Sequence, residues 1–160
     1  MWIIMLFGGA ALGLWLDVRH YYYILTNIWF HLIIFIPGAF LLWAVLRASK
    51  NTGRLLAREG RKGDLPRMET NQLVTTGMYG CMRHPMHLAL MFFPLSLALI
   101  IGSPTFIIVI APAEMIFMVI MIRLVEEPEA IRKFGSAYKE YMKQVPMFSF
   151  RRECLKQLLK

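Results

Sequence analysis

A few charged and imidazole side chains stand apart in this 160-residue chain as groups able to do chemistry. They are Arg83, His84 and His87 in the run Arg83-His84-Pro85-Met86-His87, the adjacent pair Glu126-Glu127, and the lone Glu114. Carboxylates beside imidazoles hold cations and relay protons, and an arginine holds an anion. Such a set suits the binding and positioning of a charged small molecule. No side chain with an evident activating partner marks a covalent nucleophile. Cys81 and Cys154 lie 73 positions apart and match no metal-ligand spacing, so no zinc site is expected; both fall in the basic stretches read below as cytoplasmic, where thiols stay reduced, so no disulfide is expected either. No phosphate-binding glycine loop and no internal repeat is present.

The segment 71–85 reads NQLVTTGMYGCMRHP. Gly77 and Gly80 bracket Tyr79, and His84 precedes a proline, which disfavours helix at that position. This predicts a structured loop running directly into a helix. A glycine loop placed there can also turn backbone N–H groups toward an anion.

The elements around these residues follow from the separation of apolar and charged residues. The chain is 58% hydrophobic, against about 45–50% apolar for soluble domains, yet it carries a net charge of +8. Four apolar runs, about 2–18, 21–46, 86–102 and 104–123, are near the length of a membrane-crossing helix, about 17–25 residues. Asp17, Arg19 and His20 separate the first two, and Gly102-Ser103-Pro104 separates the last two. The composition excludes a disordered or disulfide-stapled chain. The expected fold is an all-α integral membrane protein, one domain over 1–160, with about four transmembrane helices, a loop at 47–85 and a C-terminal region at 124–160. The first run is read as a retained helix, because it lacks the basic start of a signal peptide. Its Gly9-x-x-x-Gly13 pattern predicts close packing within the bundle.

Of the 18 Lys and Arg residues, 17 fall in 47–83 and 123–160; only Arg19 lies between the first two runs. The positive-inside rule then places both termini and the long loop in the cytoplasm. Membrane topology accounts for the basic excess, so no nucleic-acid partner is expected. Membrane lipids are expected partners, and the sequence leaves the oligomeric state open. After Glu126-Glu127, Ile131, Phe134, Tyr138, Tyr141 and Val145 recur at helical spacing. They predict an amphipathic helix to about Gln144, with Gly135 as a point of weakness and Pro146 as its end.

Taken together, Gly77-x-Tyr79-x-x-x-Arg83-His84-Pro85, Glu126-Glu127 and Phe134-Gly135-x-x-Tyr138-x-x-Tyr141-x-x-x-Val145-Pro146 resemble the isoprenylcysteine carboxyl methyltransferase family, which belongs with the membrane phospholipid methyltransferases. The resemblance covers about Asn71 to Pro146. It implies an integral-membrane enzyme that binds S-adenosylmethionine in a cytoplasm-facing pocket and takes a lipophilic substrate from the bilayer. It implies cofactor contacts from Asn71, Gln72, Leu73, Val74, Tyr79, His84, Pro85, Met86, His87, Glu126 and Glu127. The family usually has tyrosine where this chain has His87, and often glycine where it has Ala89.

S-adenosylmethionine carries a sulfonium, an ammonium and a carboxylate. Glu126 can hold the ammonium or offset the sulfonium, His84 can hold the carboxylate, and Tyr79 and His87 can line an aromatic wall. Glu127 is more simply an ion-pair partner. Arg83, Arg123 and Glu114 are the candidates for contact with the acceptor. Arg123 also stands one helical turn before Glu126-Glu127, where an ion pair is possible. Glu114 lies mid-way along the fourth run, where a charge costs roughly 2.5–3.5 kcal/mol; His31 or Asn27 is its expected polar partner, and a place in a substrate tunnel is the other reading. Two other functions stay open: a sterol-reductase-like enzyme using NADPH, and a non-catalytic membrane protein of the same fold.

Overall fold

The computed structural model describes residues 2–64 and 69–160; residues 65–68 of the expected 47–85 loop, Arg67 among them, lie outside these. The described residues are all helical in their regular structure, with no strand among them. They gather into two compact units, each built from two stretches: 1–45 with 91–120, and 46–90 with 121–160.

Helix α1 (Trp2–His20), the short α2 (Tyr22–Leu25), α3 (Ile28–Glu59), α6 (Phe93–Ile101) and α7 (Ala111–Met121) carry the apolar runs. The helices 28–59 and 106–134 are long and apolar enough to cross a membrane, and 85–101 is a shorter apolar helix. On α3, Trp29, Ile33, Ile36, Phe40 and Trp43 recur every three or four residues and are all exposed. An apolar stripe of this kind, open to the outside, suits lipid rather than water. As expected for 47–58, the helix continues past the end of the apolar run at 46, reaching Glu59. Its extension is rich in Arg, Lys, Leu and Ala, good helix formers that need no apolar surroundings.

In the first unit, small residues set the spacing. A side chain at Gly9 would come within 2.8 Å of Glu114 Oε1 and of Ile110. One at Gly13 would meet Ser103 and Phe106 at 3.0–3.1 Å. The Gly9-x-x-x-Gly13 face therefore packs inside the unit. Glu114 is buried over Gly9. Its expected partners are engaged elsewhere: Asn27 Oδ1 accepts from the Trp29 and Phe30 amides, and His31 Nε2 lies 2.7 Å from the Leu25 carbonyl. Gly102 ends α6 in the left-handed conformation, φ 77°, under the His31 ring.

Asp17 is not a mere interruption of an apolar run. It is fully buried and accepts from the Thr105 amide at 3.0 Å, from the Thr105 hydroxyl and from the Ser103 hydroxyl. Ser103 Oγ in turn accepts from the Phe106 amide at 3.2 Å. Asp17 thus supplies, from another helix, the acceptor for the free Thr105 amide at a helix start and for the two hydroxyls beside it. Asp17→Ala leaves those donors buried and unpaired, and should destabilise the protein by about 3 kcal/mol. Thermal unfolding in detergent checks this, with Asp17→Asn, which keeps one acceptor oxygen, expected to lose less.

The helix 106–134 contains two wide, π-type turns, Phe106–Ile110 and Ile122–Glu126. Each ends two residues before a proline, Pro112 and Pro128. A proline offers no amide and crowds the carbonyl four residues back, and a wide turn absorbs the disruption. Beyond it, α8 (Glu127–Phe134) and α9 (Ser136–Gln144) are divided at Gly135, φ 61°. A further helix, α10 (Arg152–Leu159), was not foreshadowed by the sequence reading; its Cys154 and Leu158 are buried.

The expectation of no disulfide is corrected. Cys81, at the end of α4 (Met78–Cys81), is bonded to Cys154 of α10, with Cα atoms 5.8 Å apart. The expectation rested on compartment and spacing, which say nothing of proximity across 73 residues.

Candidate active site

The chemistry-bearing residues of the second unit converge on one cleft. Gly77, at φ 55°, makes a bend that L side chains rarely adopt, and starts α4 with Tyr79 in it. Met82 to His84 is extended: the Arg83 amide donates to the Pro146 carbonyl at 2.9 Å, and the His84 amide to Met147 at 3.2 Å. Pro85 then opens α5 (Pro85–Leu90), where a missing amide costs nothing. The His84 carbonyl accepts from the Leu88 amide, so His84 stands at the helix start with His87 one turn on.

Arg83 organises the floor. Its Nε and Nη2 donate to Glu127 Oε1 at 3.0 and 2.6 Å, and Nη1 donates to the carbonyls of Val145 at 2.6 Å and Met142 at 3.3 Å. Both side chains of the Arg83–Glu127 pair are only 10% exposed. Arg83 therefore joins the loop, α8 and the end of α9. Tyr141 donates its hydroxyl to the Tyr79 carbonyl at 2.5 Å. Tyr138 and Tyr141 are buried, and these two members of the amphipathic face line the site.

Glu126 faces two histidines. His87 Nε2 lies 2.8 Å from Glu126 Oε1, and His84 Nδ1 lies 3.8 Å from Glu126 Oε2. His84 Nε2 is buried 3.4 Å from Glu127 Oε1, in a direction that makes no hydrogen bond; Arg83 occupies that oxygen. Burial, and then the neighbouring His87, pull the His84 pKa from 6.5 to about 4, against the weaker opposite pull of the two glutamates. His84 is thus a neutral imidazole at physiological pH. Burial alone would raise the Glu126 carboxyl, but the hydrogen bond and charge of His87, with His84 behind, hold it below the ordinary value. Burial pushes the Tyr79 hydroxyl up to about 12 and raises Tyr141 and Tyr138 too, so these tyrosines stay protonated.

These shifts predict a pH dependence. Between pH 6.5 and about 4 the unfolded chain takes up a proton at His84 that the folded chain refuses. Stability therefore falls as pH is lowered through that window, by up to about 1.4 kcal/mol per pH unit from this group. Glu126, depressed in the folded state, acts in the same direction below 4.5. Thermal unfolding in detergent between pH 7 and 5 reads the slope, which His84→Gln should flatten; an equal slope in that variant would contradict the assignment.

The cleft has a volume of about 210 Å³. Gln72, Leu73, Val74, Tyr79, Arg83, His84, Pro85, Met86, His87 and Glu126 line it. Asn71 and Glu127 do not. Asn71 braces the loop, exchanging two 2.8 Å bonds with the Lys62 backbone, and Glu127 holds Arg83. Arg123 is exposed, and Glu114 lies in the first unit. Leu56, Thr70, Ala130 and Phe134 complete the lining. Leu56 lies on the polar extension of α3, and nothing in the local sequence marks it as a cleft residue. A second, apolar cleft of about 380 Å³ shares Leu56, Thr70 and Met86 with the first.

A carboxylate, a neutral buried imidazole with an unpartnered nitrogen, and apolar and aromatic walls can bind a small molecule that is charged at one end and flat at the other. A family model described as phospholipid methyltransferase matches residues 26–137, more than two thirds of the chain and every element of this cleft up to Gly135. No curated protein and no solved structure matches it. The chain, all-helical, membrane-type and matched across its cleft, belongs to the phospholipid methyltransferase family.

Proposed function

We propose that this protein transfers a methyl group from S-adenosylmethionine to a lipophilic acceptor drawn from the bilayer. The observation that carries the reading is the Glu126 carboxylate, 41% exposed on the cleft, faced by His84 Nδ1 at 3.8 Å and His87 Nε2 at 2.8 Å. The residues fit the cofactor. Glu126 is suited to its ammonium, His84 and the neighbouring loop amides to its carboxylate, and Tyr79, Phe134 and Met86 to its adenine and apolar parts. When bound, the cofactor supplies an electrophilic methyl group with a neutral thioether as leaving group.

The protein's own contribution is then position and exclusion of water. Arg83 and Glu127 fix the loop that carries His84, and Tyr141 fixes the loop at Tyr79. An acceptor carboxylate or thiolate needs no base. An acceptor amine must shed a proton, and His87, hydrogen-bonded to Glu126 and 26% exposed, is the group at the cleft placed to take it. The family name favours a phospholipid amine over a prenylcysteine carboxylate or a small apolar thiol. The adjoining apolar cleft, walled by Ala57, Leu56 and Met86, is suited to the acceptor's hydrocarbon part. Both termini and this site face the cytoplasm in the proposed topology, because 17 of 18 basic residues lie on that side of the apolar runs.

Incubation of the purified protein with methyl-labelled S-adenosylmethionine and a total lipid extract tests the reading. Label should enter an organic-soluble product, and fractionation identifies the acceptor. Label remaining wholly in the aqueous phase, with cofactor bound, would contradict a lipophilic acceptor.

A further inference from the structure

His84, His87 and Glu126 make an arrangement that methyl transfer does not require. One ligand atom from each lies within 4.8 Å of the other two. The two histidines stand one turn apart at the start of α5, His84 just before it and His87 within it, and the glutamate comes from the wide turn that ends at Glu126. Two imidazoles and one carboxylate suit first-row transition metals such as zinc, cobalt or nickel, whereas magnesium and calcium favour oxygen ligands throughout. Three protein ligands with an open fourth position is a recurrent arrangement for zinc.

The surroundings point the same way. A ligating histidine characteristically presents its second nitrogen to a fixed carboxylate. His84 is placed close to such an arrangement: with Nδ1 toward Glu126, its buried Nε2 lies 3.4 Å from Glu127 Oε1, a carboxylate held by Arg83, and a small turn of the ring would make the hydrogen bond that is absent here. The His84 side chain is 9% exposed and Nε2 has no hydrogen-bond partner. Both ion-pair contacts of Glu126 are to histidines. A tetrahedral ion with bonds of about 2.0–2.2 Å needs donors about 3.3–3.5 Å apart. The 2.8 Å His87–Glu126 distance must open and the 3.8 Å His84–Glu126 distance must close. These two distances run to different oxygens of Glu126; bringing one oxygen to both nitrogens, in a cluster spread over as much as 4.8 Å, asks for a turn of the carboxylate and shifts of up to about 1.5 Å, for which the His87 and Glu126 side chains, 26% and 41% exposed, have room.

We propose that His84 Nδ1, His87 Nε2 and a Glu126 carboxylate oxygen form a three-ligand site for a divalent first-row transition-metal ion. The ion replaces the hydrogen now shared by His87 and Glu126, and its fourth position opens on the cleft. The site shares all three residues with the proposed function, so ion and cofactor would compete for them, but it does not rest on that reading. A protein that failed to bind S-adenosylmethionine would still bind the ion.

Tag-free protein in detergent, stripped with chelator and titrated with Co²⁺, provides the test. One equivalent should bind with the visible d–d absorption of a low-coordinate site, without sulfur-to-cobalt charge transfer, since both cysteines are bonded to each other. His87→Tyr and Glu126→Gln should each weaken binding by at least about 100-fold, more than losses typical for outer partners. His20→Ala, an exposed histidine outside the cluster, should bind as wild type. If His87→Tyr fails to fold, Glu126→Gln decides. Absence of the d–d band at millimolar Co²⁺, or its survival in the Glu126 variant, would overturn the proposal.

Discussion

Glu126→Ala should lower the affinity for S-adenosylmethionine by about 100-fold, the scale of a lost charge-assisted hydrogen bond, while leaving the thermal stability close to wild type. The two halves of this expectation come from one fact. The Glu126 side chain is 41% exposed and its partner His87 26%, so truncation leaves no buried charge and water can replace the missing oxygen. Calorimetric titration and thermal unfolding on the same preparation separate the halves. Wild-type affinity in the variant would remove Glu126 from the cofactor site.

Arg83→Ala should do the reverse, with its main effect on the fold. The substitution strands the Glu127 carboxylate at 10% exposure and deprives the Val145 and Met142 carbonyls of a donor. Breaking a buried ion pair on one side costs about 3–5 kcal/mol, which corresponds to a fall in Tm of roughly 10 °C for a chain of this size. Cofactor binding falls with it, because the Arg83 segment carries His84. The double variant Arg83→Met, Glu127→Leu should recover part of the loss, since no charge is then stranded; the two unpaired carbonyls limit the recovery. A single variant as stable as wild type would show that the clamp does not hold the loop.

The contrast between these two neighbouring glutamates was only half legible in the sequence. Adjacent carboxylates at the end of an apolar run were visible, as were the His84-Pro85 boundary and the apolar runs themselves, because helix spacing and the residue before proline are local matters. Which glutamate faces the cleft and which is clamped depends on Arg83, 44 positions away. The wide turn at Ile122–Glu126 also shifts the helical register there by one residue, so that both glutamates come within 4 Å of His84. Asp17 is a similar case: a carboxylate in an apolar run looks like a break until Ser103 and Thr105, 86 and 88 positions on, are found beneath it. Cys81 and Cys154 meet for the same nonlocal reason. Tyr138 and Tyr141 were legible as a helical face but not as an inward one, because periodicity reports the width of an apolar stripe and not what covers it. Glu114 carries no such account in the site: the structure buries it over Gly9 in the first unit.

The central claim is that the cleft around His84 and Glu126 binds S-adenosylmethionine. Calorimetric titration of the purified protein in detergent with S-adenosylmethionine, S-adenosylhomocysteine and NADPH tests it most directly. The account predicts saturable binding of the first two and none of NADPH. Binding of NADPH alone, or of none of the three, would contradict it.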